Sequence, residues 1–79
     1  MRMTFDDLLR VEAAVADTGM GPLPCFLTEE GKVDIRLYPG TDYATLGSRL
    51  VAALVTGGLG VVCCTLGPKT IIISKEDDT

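Results

Sequence analysis

Apolar and polar positions run through the chain in two rounds of one pattern, a helical period followed by two short alternating runs. The first helical period opens at Thr4, whose hydroxyl can cap a first turn that carries Asp6 and Asp7. Phe5, Leu8, Leu9, Val11, Val15 and Ala16 fall on one arc, and Asp6, Asp7, Arg10 and Asp17 fall on the opposite one. Glu12 lies inside the apolar arc. A carboxylate there is either at the rim of the core or functional, because a buried one needs a partner. Gly19 and Gly21 end the helix, and Pro22 and Pro24 keep it from resuming.

Residues 24–28 and 33–38 then flank Glu29-Glu30-Gly31-Lys32, and the alternation in VDIRLY is a strand signal. With Glu30-Gly31 as a two-residue tip, Phe26 lies opposite Ile35, Pro24 opposite Leu37 and Thr28 opposite Val33. That register sends Phe26, Val33, Ile35 and Leu37 toward the helices. It sends Cys25, Leu27, Asp34, Arg36 and Tyr38 away from them. Pro39-Gly40 turns the chain into the second round.

Thr41 is the expected N-cap of the second helix, with Asp42 in its first turn. Leu46, Leu50, Ala53 and Leu54 recur at helical spacing, Tyr43, Gly47 and Val51 widen the arc, and Gly57 and Gly58 stop it. A second hairpin joins residues 60–65 to 70–75 through Leu66-Gly67-Pro68-Lys69. Val62, Cys64, Ile71 and Ile73 share one face, and Val61, Cys63, Ile72 and Ser74 share the other. Residues 76–79 read as a solvated, disordered acidic tail.

These elements predict one α+β domain over residues 1–79, in the order αββαββ. It has a four-stranded antiparallel sheet with two helices on one face. The second round echoes the first at 39 positions: RVEAAVADTGMG from residue 10 and RLVAALVTGGLG from residue 49 share Arg, two Ala and two Gly. Either the two αββ halves are pseudo-symmetric copies, or two helices with similar tasks converged on alanine, leucine and glycine. Two helices cover only one face of such a sheet. Leu27, Arg36, Tyr38, Val61, Cys63 and Ile72 on the other face are therefore the expected partner or dimer interface.

Composition narrows the function. Apolar residues make up 47% of the 79, enough for a core, and a domain this small gains from self-association, so a homodimer is expected. The net charge of −4 works against direct DNA binding and against anionic membranes. The start, MRMTFDD, has no apolar signal region, so the three cysteines read as reduced cytoplasmic thiols. A run of 19 uncharged residues between Arg49 and Lys69 approaches membrane-span length, but its glycines and Pro68 break it. With no histidine, a Ser–His or Cys–His pair is impossible within the chain, and three thiols fall short of a structural zinc site. The TGGLG run follows a helix end instead of leading into one, which excludes a phosphate cradle. No catalytic residue, metal ligand or cofactor is predicted.

What is left is a small acidic, non-enzymatic protein that works by binding another protein. In size and charge alone it is like phage-encoded inhibitors of host defence, such as anti-CRISPR proteins, which occupy basic nucleic-acid-binding sites. One alternative is a ligand-binding or enzymatic site formed across a dimer from Glu12, Cys25, Arg36 and Tyr38. The other is an RNA-binding sheet that uses Arg36 and Tyr38.

Overall fold

The computed structural model describes residues 2–20, 22–59 and 62–75, and the expectations for Gly21, Gly60, Val61 and the tail at 76–79 lie outside the described residues. The elements are α1 (Phe5–Asp17), β1 (Cys25–Leu27), β2 (Val33–Arg36), α2 (Tyr43–Thr56), β3 (Val62–Leu66) and β4 (Thr70–Lys75). The four strands form one antiparallel sheet in the order β1-β2-β4-β3. Each hairpin is a local pair, and the halves join where β2 runs against β4. The order reads the same when the two halves are exchanged.

Both helices start with a side-chain cap. Thr4 Oγ1 accepts from the Asp7 N–H while the Asp7 carboxylate accepts from the Thr4 N–H, a reciprocal capping box. In α2 the cap is Asp42, one residue past the expected Thr41, and it accepts from both the N–H and the hydroxyl of Thr45. Thr41 instead donates to the Tyr38 carbonyl and closes the turn before the helix.

The helix ends solve one problem in two ways. After α2, Gly58 takes a φ of 83° and donates to Val55, and Leu59 donates back to Leu54. Leu59 is buried over the last turn, which completes a Schellman motif. After α1, Gly19 takes the equivalent left-handed position, but Met20 donates to the Thr18 hydroxyl, which itself donates to Val15. The buried Thr18 side chain thus replaces the second bond of the motif.

Leu8, Val11, Ala14 and Val15 of α1 and Leu46, Leu50 and Leu54 of α2 pack on Val33, Ile35, Ile71 and Ile73 at the sheet centre. Two expectations for α1 fail here. Phe5 and Leu9 are exposed, because a helix lying on a sheet buries an arc narrower than the apolar one its sequence offers. Asp7, expected on the solvent side, is buried and meets Lys75 Nζ at 2.9 Å.

The first hairpin differs by one residue from the expected register. The pairs are Cys25 with Ile35, Phe26 with Asp34 and Leu27 with Val33. The loop is three residues, Glu29-Glu30-Gly31: Gly31 donates to Thr28, Thr28 donates to Lys32, and Gly31 has a φ of 80°. This is a type I turn closed by a glycine bulge. The extra residue reverses the faces of β1, so Cys25 and Leu27 lie on the helix side and Phe26 on the open side. The second hairpin has the expected faces among its described side chains, with Ile71 and Ile73 buried and Cys64 against the core.

Candidate functional site

β1 is an end strand of the sheet, and its ladder fixes which backbone groups are free. Arg36 donates to Pro24, Thr28 donates to Lys32, and Phe26 lies opposite Asp34, so residues 24, 26 and 28 direct their backbones at β2. The N–H and C=O groups of Cys25 and Leu27 therefore point outward, and among the described residues nothing pairs with them. Pro24 does not blunt this edge, since its missing N–H is on the β2 side.

Large apolar groups gather around those free groups. Phe26 is 53% exposed on the open side of the strand, and Leu27 is 39% exposed on the helix side. On α1, Phe5, Leu9, Glu12 and Ala16 follow one another at helical spacing, all exposed. Phe5 and Leu9 are 63% and 48% exposed. Because Leu8, Val11 and Val15 face the core and Arg10, Ala13 and Asp17 face α2, the helical step turns Glu12 and Phe5 toward the β1 margin, while Leu9 and Ala16 point away from the sheet. Burial pushes the Cys25 thiol up to about 11, and the negative charge of Glu12 adds to the rise. On its other side α1 faces α2 through Arg10, Ala13 and Asp17, across a cleft of about 160 Å³ floored by Ala14, Ala53 and Leu54. That volume is below the roughly 300–1,000 Å³ of small-molecule sites. Arg49 crosses the same helix pair and donates to the Thr18 carbonyl at the end of α1.

The second half is an internal control. At the positions of Phe5, Leu9, Glu12 and Phe26 it has Ala44, Ser48, Val51 and Thr65. The scaffold therefore folds with Ala, Ser and Thr at the positions of Phe5, Leu9 and Phe26, and those three large groups are not required by the packing.

The open face of the sheet is less apolar than expected. Its central row reads Phe26, Asp34, Ile72, Thr65, flanked by Arg36 and Thr70 on one side and by Ser74 and Cys63 on the other. Arg36 Nε pairs with Asp34 at 3.6 Å. Asp34 Oδ1 and Thr70 Oγ1 are buried with no hydrogen-bond partner among the described residues. Of the expected interface residues, Arg36, Tyr38 and Cys63 are exposed and Ile72 is half-buried. Leu27 is on the opposite face, and Val61 lies outside the described residues. The expected RNA platform carries Asp34 at its centre, and it pairs with Arg36, the cation that the platform would use.

Glu12 is exposed, not at the rim of the core, and it joins Cys25 at the β1 margin. Arg36 and Tyr38 are on the other side of the sheet from that pair, so the four residues of the dimer-site alternative do not meet within one chain. Sequence reasoning missed Phe5, Leu9 and Phe26. The available signals were an apolar arc too wide for one contact and a glycine as the third loop residue. Among the described residues no three Cys, Asp or Glu come together to hold a metal ion, and no helix is long and apolar enough to cross a membrane. No family model, curated protein or solved structure matches the chain.

Proposed function

We propose that the chain is a non-enzymatic interaction module that holds another protein against the β1 margin. One observation carries the reading: Phe26 and Leu27 are exposed on an open strand and Phe5 and Leu9 on the helix packed over it, while the second half has Ala44, Ser48 and Thr65 at three of the matching positions. Exposed apolar groups that the fold does not use are the usual anchors of an interface. In its narrower form the partner is a basic, nucleic-acid-binding protein that the acidic chain inhibits, a form supported by size and the net charge of −4.

Capture from host lysate with the wild-type chain and with a Phe5→Ser, Leu9→Ser, Phe26→Ser variant tests it, with bound protein and nucleic acid both identified. The expected result is one stoichiometric protein, lost in the variant while its unfolding free energy from urea titration stays within about 0.5 kcal/mol per site of wild type. A partner retained by the variant, or recovery of nucleic acid alone, counts against the reading.

A further inference from the structure

The open edge and the charge beside it specify more than an apolar patch. We infer that β1 is extended by a strand of the partner, an extended segment with apolar residues at alternate positions and a lysine or arginine facing Glu12. This rests on the protein-binding reading above and names its mode and its chemistry.

Backbone geometry gives the mode. Cys25 and Leu27 each offer an outward N–H and C=O, spaced as one repeat of a sheet ladder, and β1 ends the strand order. A strand laid there continues the sheet. Its alternate side chains on the helix side fall against Leu27 and Phe5, and those on the open side fall against Phe26. The edge has hydrogen-bonding groups in the middle and apolar groups above and below, as an added strand requires.

Charge selects the occupant. Glu12 is the ionisable member of the α1 stripe, and among the described residues no cation pairs with it. A second copy is the simplest competitor, since β1 could pair with itself about an axis through Phe26. That pairing places two Glu12 side chains across one apolar seam, each beside a Cys25 one residue from the axis, and like charges there oppose association. A foreign strand with a cation in that row replaces the repulsion with a pair. At the adjoining loop Lys32 reaches the Glu30 carboxylate at 4.0 Å, and the Arg2 guanidinium donates to the Glu29 backbone carbonyl. Glu12 is the charge on the helix side of β1 that the partner must answer.

The probe is an acetylated, amidated heptapeptide with valine, valine, lysine and valine at alternate positions and threonine between them, titrated into the full ¹⁵N-labelled chain. Its counterpart carries glutamate in place of the lysine. The expected result is saturable binding in which hydrogen exchange at the Cys25 and Leu27 amides slows about tenfold or more, as newly bonded groups require. The glutamate peptide should bind at least about fivefold more weakly, and Glu12→Gln should abolish that difference while leaving the fold intact. Shifts on the open face with no slowing at Cys25 and Leu27 would overturn strand addition and leave protein binding standing. Slowing that appears when the chain alone is concentrated would make the second copy the occupant and overturn the inference. Lysine and glutamate peptides bound equally would remove the role of Glu12, and no response at β1 at millimolar peptide would overturn the mode outright.

Discussion

The two αββ halves share a plan and differ in what they leave exposed. Val11 and Leu50, Val15 and Leu54, and Cys25 and Cys64 occupy matching places 39 positions apart, and in each pair both side chains face the core. From the second strand of each half the spacing becomes 38, so Val33 matches Ile71 and Ile35 matches Ile73, all fully buried. The lost residue is the extra one in the Glu29-Glu30-Gly31 loop, against the two-residue Pro68-Lys69 loop of the second hairpin. The core is thus common to both halves, and the differences are confined to a loop, a helix start and a margin. One frame can be varied on the outside while its inside stays fixed, which separates residues that hold the fold from residues free to do something else.

The sharpest way to break this equivalence is in the core. Leu50→Ala and Val11→Ala should each remove about 2–4 kcal/mol, with the leucine change the larger, because both sites are fully buried between helix and sheet. Urea unfolding followed by circular dichroism and by Tyr fluorescence should stay a single coincident transition in both variants. Two separated transitions would mean that the halves are independent units.

Next in size is the helix start. Asp7 corresponds to the fully buried Leu46, so the first half uses an ion pair where the second uses an apolar contact. Burial alone would raise the Asp7 pKa, but the Thr4 N–H and the Lys75 ammonium outweigh it and hold the carboxyl below its usual 3.8. The folded pKa is below the unfolded one, so the stabilisation is fully present above about pH 4 and is lost as pH falls through the folded value. Asp7→Asn should cost about 1–3 kcal/mol at pH 7 and flatten the acid limb of a stability–pH curve below pH 4. An unchanged acid limb would show that other carboxylates govern it.

Gly31 and Gly67 contrast the two loops. Gly31 has a φ of 80°, and a Cβ there would sit 2.8 Å from the Arg2 Cβ. Gly67 has no such φ and would make ordinary contacts at 3.5 Å with Thr70. Gly31→Ala should therefore cost about 1–2 kcal/mol and Gly67→Ala under about 0.5. Equal costs from thermal melts would refute the bulge as the source of the shifted register.

The element order, the Thr4 cap and the glycine stops were legible because each depends on residues within a few positions of one another. The β1 register was not, because Glu29-Glu30-Gly31-Lys32 fits a two-residue or a three-residue loop, and only whether Cys25 or Phe26 packs toward the helices decides. The exposure of Phe5 and Leu9 was hidden for a related reason. Periodicity reveals which residues share an arc, and the width of the arc that meets the sheet is set by neighbours distant in sequence. The Asp7–Lys75 pair joins residues 68 positions apart and leaves no local trace.

The smallest effect concerns the matched thiols. Burial raises both Cys25 and Cys64, with Glu12 adding to the first and Cys63 to the second, while Cys63 is exposed. Iodoacetamide at pH 8 should label Cys63 first by mass spectrometry, with Cys25 slowest. Glu12→Gln should quicken Cys25 alone, by a small factor.

The Asp7–Lys75 contact also closes the molecule into a ring. It fastens the first turn of α1 to the last residue of β4, so the start and finish of the folded path lie side by side. A short linker could join them covalently, and the chain could then be opened between Pro39 and Gly40, with every strand pair kept and the halves transposed. The same closeness makes the domain insertable: grafted into a surface loop of a host protein, it would enter and leave at one point.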